Sequence, residues 1–160
     1  MEASRDRSEV GIPPLLRAAR GAYGHAIRSE LAAVGFDDLP PNSAYVLGGI
    51  VNHGGSAGQL GRQLGISKQA ASQLIDTLVV RGYLVRSEDP QDRRRITIDA
   101  TDRGRAAAEA IRVGVLSVEE DLSGRLSAGE MAGLRAGLVA LCDIRDAMED
   151  EARALRDERA

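Results

Sequence analysis

The chain has 160 residues, 24 acidic and 21 basic side chains, and a formal charge of −3. Its length suits one domain, or one domain with an appended helical element, and 43% apolar composition excludes a solvated tail. There is no run of roughly 18 uncharged apolar residues, as a membrane-spanning helix would need. The segment MEASRDRSEV has no apolar signal core, so a cytoplasmic protein without a membrane partner is expected.

Charge is unevenly spread. Residues 1–55 carry five basic and six acidic side chains, residues 56–105 nine and six, and residues 106–160 seven and twelve. A basic middle third therefore lies between acidic flanks, which the whole-chain balance conceals. The single cysteine, Cys142, excludes an intrachain disulfide.

In chain order, residues 1–12 read as a flexible, polar N-terminus. Pro13 and Pro14 open a helix, since proline is tolerated in a first turn. Gly35 to Pro41 is a breaker, and Asn42 or Ser43 caps a helix with Val46, Leu47, Ile50 and Val51 at helical spacing. Two short helices follow, one capped by Ser56 and stopped by Gly65, the other capped by Ser67 and closed by Gly82. Tyr83–Arg86 and Ile96–Asp99 read as strands, with Ser87–Arg95 as a charged hairpin tip. Thr101 caps a long helix with Ala107, Ile111, Val115, Val118 and Leu122 on one face. Ser127 and Glu130 fit a capping box before a last helix with Met131, Leu134, Leu138, Leu141, Met148 and Leu155.

The Ser56–Val85 segment has the pattern of a helix-turn-helix, with Gly61 at the helix crossing and Gly65 at the turn. On the second helix, Ala71, Leu74, Ile75 and Leu78 cluster on one side. Gln69, Ser72, Gln73 and Asp76 fall on the other, with Lys68 at the edge. Such a polar face can be ordinary solvated surface, but Gln, Lys and Ser also match the hydrogen-bonding edges of bases. Ser67 begins the helix, where free backbone donors suit a phosphate. The adjoining Arg93, Arg94 and Arg95 repel one another and contribute nothing to a fold. A wing that places arginine in a narrow minor groove accounts for them.

Gly65–Ile75, Arg81-Gly82-Tyr83-Leu84, and Asp89-Pro90-Gln91-Asp92-Arg93-Arg94 followed by Thr101 and Arg103-Gly104-Arg105 resemble the MarR family of bacterial transcription regulators. The likeness runs over residues 13–148. It implies a mostly α (α+β) chain, with a winged helix-turn-helix over residues 40–100 and a helical dimerisation region over 13–35 and 101–156. It also implies an obligate homodimer on a pseudo-palindromic operator in double-stranded DNA, with half-sites about one turn, ~34–36 Å, apart. By position, Arg94 would read the minor groove, Asp92 would orient the wing, and Arg93 and Arg95 would contact phosphate or serve as steering charges. A repressor role is expected.

The resemblance further implies a small effector, often aromatic or phenolic. Tyr23, His25, Phe36, Tyr45 and His53 are candidates for its pocket, although core or linker packing is the better explanation of each taken singly. Cys142, between Leu141 and Ile144 in the helical pattern, reads as a buried structural cysteine rather than a redox sensor. Two isolated histidines and one cysteine make no metal-ligand pattern, and no cofactor motif is present. Neither a phosphate loop nor a nucleophile elbow occurs, so no enzyme is expected. The competing class is a winged-helix protein-interaction or ligand-binding module without specific DNA binding.

Overall fold

A computed structural model describes residues 7–40, 43–53, 61, 65–89 and 92–158. The side chains of His53, Glu88, Asp89, residues 92–96 and Asp157 fall outside that description. Five helices and one antiparallel hairpin are described: α1 (Ile12–Ala33), α2 (Ser43–His53), α3 (Lys68–Val80), β1 (Leu84–Asp89), β2 (Asp92–Ala100), α4 (Asp102–Ser123) and α5 (Ala128–Asp157). The Ser56–Leu64 helix expected from the sequence lies outside the described residues except at Gly61, which is helical. No helix among the described residues is long and apolar enough to cross a membrane.

Local chemistry explains the boundaries. Pro13 and Pro14 occupy the first turn of α1, where a missing N–H costs no helical bond. Gly35 adopts φ +78° just after α1, and Gly82 adopts φ +73° after α3; both angles favour a residue without Cβ. Ser67 caps α3 by accepting from the Ala70 N–H at 3.1 Å. The Thr101 hydroxyl accepts from the Gly104 N–H at 3.0 Å and donates to the Gly82 carbonyl at 2.6 Å, joining the start of α4 to the end of α3. At α5 the Ser127 and Glu130 capping box forms in both directions.

The chain divides into two compact units, Met1–Val118 and Glu119–Ala160. In the first unit, α1, α2, α3, the hairpin and most of α4 share one core. Ile27 and Leu31 come from α1, Val46, Leu47 and Ile50 from α2, and Ile75 and Leu78 from α3, together with Tyr83, Leu84, Ala107 and Ile111. Ala107 and Ile111 carry the α4 face read from the sequence; Val115, Val118 and Leu122 on that stripe are half-buried. Small residues set close approaches in this unit. A Cβ on Gly114 would lie 2.8 Å from Ile27 Cα, and one on Gly104 only 2.0 Å from the Tyr83 carbonyl oxygen.

The second unit holds the end of α4, the Gly124–Ser127 turn and α5. Along α5, Leu134, Leu138, Leu141, Ile144, Met148 and Leu155 are all exposed. Cys142 is exposed too, which corrects the sequence expectation of a buried thiol: the helical apolar pattern around it is not covered within the protomer.

The hairpin also corrects a boundary. Its strands run past Arg86 and begin before Ile96, so Ser87, Glu88, Asp89 and Asp92, read as part of the charged tip, have ladder partners. The register passes from Glu88–Ile96 directly to Asp89–Asp92. Arg93, Arg94 and Arg95 are thus extra residues of β2 at an irregularity, with no added residue of β1 opposite them. A bulge accommodates a run of like charges that a regular ladder would place against a partner strand.

Candidate functional site

The helix-turn-helix crossing depends on Gly61. It is buried, its carbonyl accepts from the Ile66 N–H at 2.9 Å, and a Cβ there would sit 2.9 Å from the Ile66 oxygen. Any side chain would wedge the turn away from the start of α3. From that start, Lys68, Gln69, Gln73 and Asp76 are exposed and Ser72 is half-buried, while Ala71, Ile75 and Leu78 enter the core. The five residues assigned to a base- and phosphate-reading face (Ser67, Lys68, Gln69, Ser72 and Gln73) therefore gather at the N-terminal half of α3.

Asp76, one turn further along, accepts a charge-assisted hydrogen bond from Arg86 on β1. This exposed pair ties the third turn of α3 to the hairpin. The outer side of the hairpin is cross-linked as well. The Ser87 hydroxyl lies 2.9 Å from that of Thr97 and donates to Asp99 Oδ2 at 2.8 Å. Asp92, Arg93, Arg94 and Arg95 all lie in β2, on the far part of this braced hairpin; their side chains are outside the described residues.

Sequence reasoning missed a polar junction behind α3. The Tyr83 hydroxyl donates to Asp38 Oδ1 at 2.5 Å, and Arg103 donates to the same oxygen at 2.7 Å and to the Tyr83 oxygen at 3.1 Å. Arg81, the C-cap residue of α3, donates to the Asp38 backbone carbonyl. The Arg103 guanidinium stacks 4.6 Å from the Tyr83 ring centre and 5.4 Å from that of Phe36. Phe36 itself meets Tyr83 edge-on, at 6.1 Å and 74°.

The Tyr83 hydroxyl bond, helped by Arg103, holds the Asp38 carboxyl below its ordinary value against a smaller opposing effect of burial. Burial, then the Asp38 bond, pushes the Tyr83 phenol up, so it remains a neutral donor. The cluster joins residues 45 and 65 positions apart. No local pattern announces it.

A cavity of about 390 Å³ opens between α1 and the N-terminal end of α2. Its α1 wall carries Arg17, Arg20, Gly21, Gly24, Ile27 and Arg28; Leu39, Pro40, Ala44 and Tyr45 face them. Among the candidates whose side chains are described, Tyr45 lines this space. Tyr23 is half-buried and His25 exposed on α1, and Phe36 belongs to the Asp38 junction. His53 ends α2 and its side chain lies outside the described residues. The arginines were detectable in principle: positions 17, 20, 24, 28 and 31 follow helical spacing, and Arg17, Arg20 and Arg28 are three of those five. Among the described residues, no three His, Cys, Asp or Glu side chains gather as a metal site would require.

Residues 37–95 match the sequence profile of the MarR family. The uncharacterized HTH-type transcriptional regulator YcgE of Bacillus subtilis is 43% identical over 51 residues, which is 31% of this chain and 33% of that protein. The match thus spans about a third of the relative's length. The Staphylococcus aureus MepR–DNA complex superimposes with a TM-score of 0.70 at 22% identity, over 84% of this chain and 96% of that one. CouR from Rhodococcus jostii RHA1, bound to p-coumaroyl-CoA, does so with a TM-score of 0.66 at 22% identity, over 87% and 96%. Over residues 37–95 the chain is thus similar to the MarR family, and its mostly helical fold with a two-stranded hairpin is that of the solved MepR and CouR structures.

Proposed function

We propose that this chain is a homodimeric, sequence-specific DNA-binding transcriptional regulator that acts as a repressor and is released by a small aromatic or phenolic effector. The observation that carries the reading is the exposed polar start of α3 beside a hairpin that holds Arg93–Arg95 at its irregular end, the two tied by Asp76 and Arg86. Ser67, Lys68, Gln69, Ser72 and Gln73 enter a major groove. Arg94 reads the adjoining minor groove, Asp92 orients the wing, and Arg93 and Arg95 meet phosphate.

The exposed apolar stripe of α5 and the exposed Ile12 and Leu16 of α1 supply the dimer surface. Contiguous exposed apolar surface of this kind marks an interaction site. The α1–α2 cavity is the effector site: its volume lies in the range of small-ligand pockets, about 300–1,000 Å³. Guanidinium groups from Arg17, Arg20 and Arg28 favour a carboxylate or phenolate on a ring that packs against Tyr45, Ile27 and Leu39.

Selection of bound sequences from a random duplex pool at fixed salt tests the reading. Enrichment of a pseudo-palindrome with half-sites about one turn apart is expected. No enrichment at any salt would leave a winged module that binds protein or ligand instead.

A further inference from the structure

Leu39 and Pro40 form part of the cavity wall, and Asp38 directly precedes them. The segment is short and stiff. Proline fixes its own backbone angle and restricts the residue before it. The Leu39 N–H bonds to Phe36 O at 3.3 Å, and the Ser43 N–H to Pro40 O at 3.1 Å. A displacement of the wall is therefore carried into Asp38 rather than absorbed by slack chain.

Asp38 holds the C-terminal end of the recognition helix through its backbone carbonyl, and Tyr83 just beyond it and Arg103 of α4 through its carboxylate. Its carbonyl accepts from Arg81, whose own N–H closes α3 on Thr77 O at 3.0 Å. Its carboxylate receives Tyr83 and Arg103. Tyr83 is fully buried, and its carbonyl accepts from the Thr101 N–H at 3.1 Å. Within this junction, Asp38 is the residue joined directly in sequence to the cavity-wall residues Leu39 and Pro40.

We propose that Asp38 is the positioning residue through which an occupant of the α1–α2 cavity acts on the recognition helix. The inference rests on the effector reading of that cavity. An occupant pressing on Leu39 and Pro40 shifts Asp38, loosens its hold on Arg81 and Tyr83, and changes how the C-terminal end of α3 is held. Sites linked in this way share a coupling free energy, and the coupling is what a mutational cycle measures.

The protein itself supplies the probe. Gly21 lines the cavity and a Cβ there meets nothing within 4 Å, so Gly21→Phe adds a ring at the cavity without a backbone clash. Ala44→Leu adds bulk from the α2 wall and serves as the second occupant should Gly21→Phe not retain wild-type secondary structure and assembly. Affinity for the selected duplex is measured for the wild type, each occupant variant, Asp38→Asn, Tyr83→Phe and the corresponding doubles.

The occupant variants are expected to weaken binding at least tenfold alone. In the Asp38→Asn and Tyr83→Phe backgrounds they should weaken it less than threefold. An equal fold-loss in every background overturns the role of Asp38 while leaving the cavity an effector site. No loss from either occupant variant overturns that reading of the cavity and this inference with it. A wild type that selects no duplex overturns the regulator reading first, and the coupling falls as a consequence.

Discussion

Glycine has opposite effects in the two units. In the first, Gly61, Gly104 and Gly114 stand where another backbone comes so close that an added Cβ would fall 2.0–2.9 Å from it. In the second, Gly129, Gly133 and Gly137 of α5 face open space. Apolar side chains divide in the same way: Ile75 and Leu78 of α3 are 1% and 0% exposed, whereas Leu141 and Ile144 of α5 are 41% and 57% exposed. The first unit closes these backbones and the apolar face of α3 within the chain. The other keeps a stripe of small and apolar residues uncovered, and this is the surface proposed above for the dimer.

The largest effect expected is at that stripe. Leu141→Glu would place a carboxylate on each side of the proposed dimer seam and weaken assembly by roughly 3–5 kcal/mol, as uncompensated buried charges do. Sedimentation should show monomer; an unchanged dimer would move the seam elsewhere. Next, Gly104→Ala should cost about 3 kcal/mol in urea unfolding, because the Tyr83 carbonyl cannot easily retreat. A smaller loss, at least about tenfold or ~1.4 kcal/mol in operator affinity, is expected from Arg94→Ala with the dimer intact. Unchanged gel-shift titration at fixed salt would remove Arg94 from the interface.

Gly137→Ala marks the opposite pole of the comparison. With space for a methyl group and a helical backbone, it should stabilise by ~0.5–1 kcal/mol. Destabilisation there would mean that the position is closely covered in the assembled protein. The smallest effect concerns acid. Asp38 titrates below its ordinary value when folded, so its contribution is complete above the unfolded value near ~4 and fades as pH falls through the lower folded one. Urea midpoints followed from pH ~5 to ~2 should therefore slope more steeply in the wild type than in Asp38→Asn.

Elements whose limits depend on one or two residues were legible in the sequence. Ser67, Thr101, and Ser127 with Glu130 cap the helices assigned to them, and Gly82 closes α3. The outward and inward faces of α3 followed from helical period alone. Strand ends were not legible, because the charged run before Ile96 resembles a loop unless the bulge is known. The cavity and the Asp38 junction were hidden for a related reason. Each is assembled from separate elements, and Arg103 becomes Asp38's partner only when α4 crosses back over the end of α3. Phe36, legible only as an aromatic beside a turn, takes its place from that same return. Cys142 shows the converse error: the apolar pattern was read correctly, but burial was assigned to a protomer that does not provide it.

The chain has no tryptophan and only three tyrosines, Tyr23, Tyr45 and Tyr83. One of them lines the cavity and another sits fully buried with its hydroxyl on a carboxylate at the end of the recognition helix. Phenol absorption responds to the loss of a charged hydrogen-bond acceptor. The near-ultraviolet spectrum of the unlabelled protein is therefore an optical gauge of the proposed coupling, with Tyr45 placed to report on the cavity and Tyr83 on the Asp38 junction.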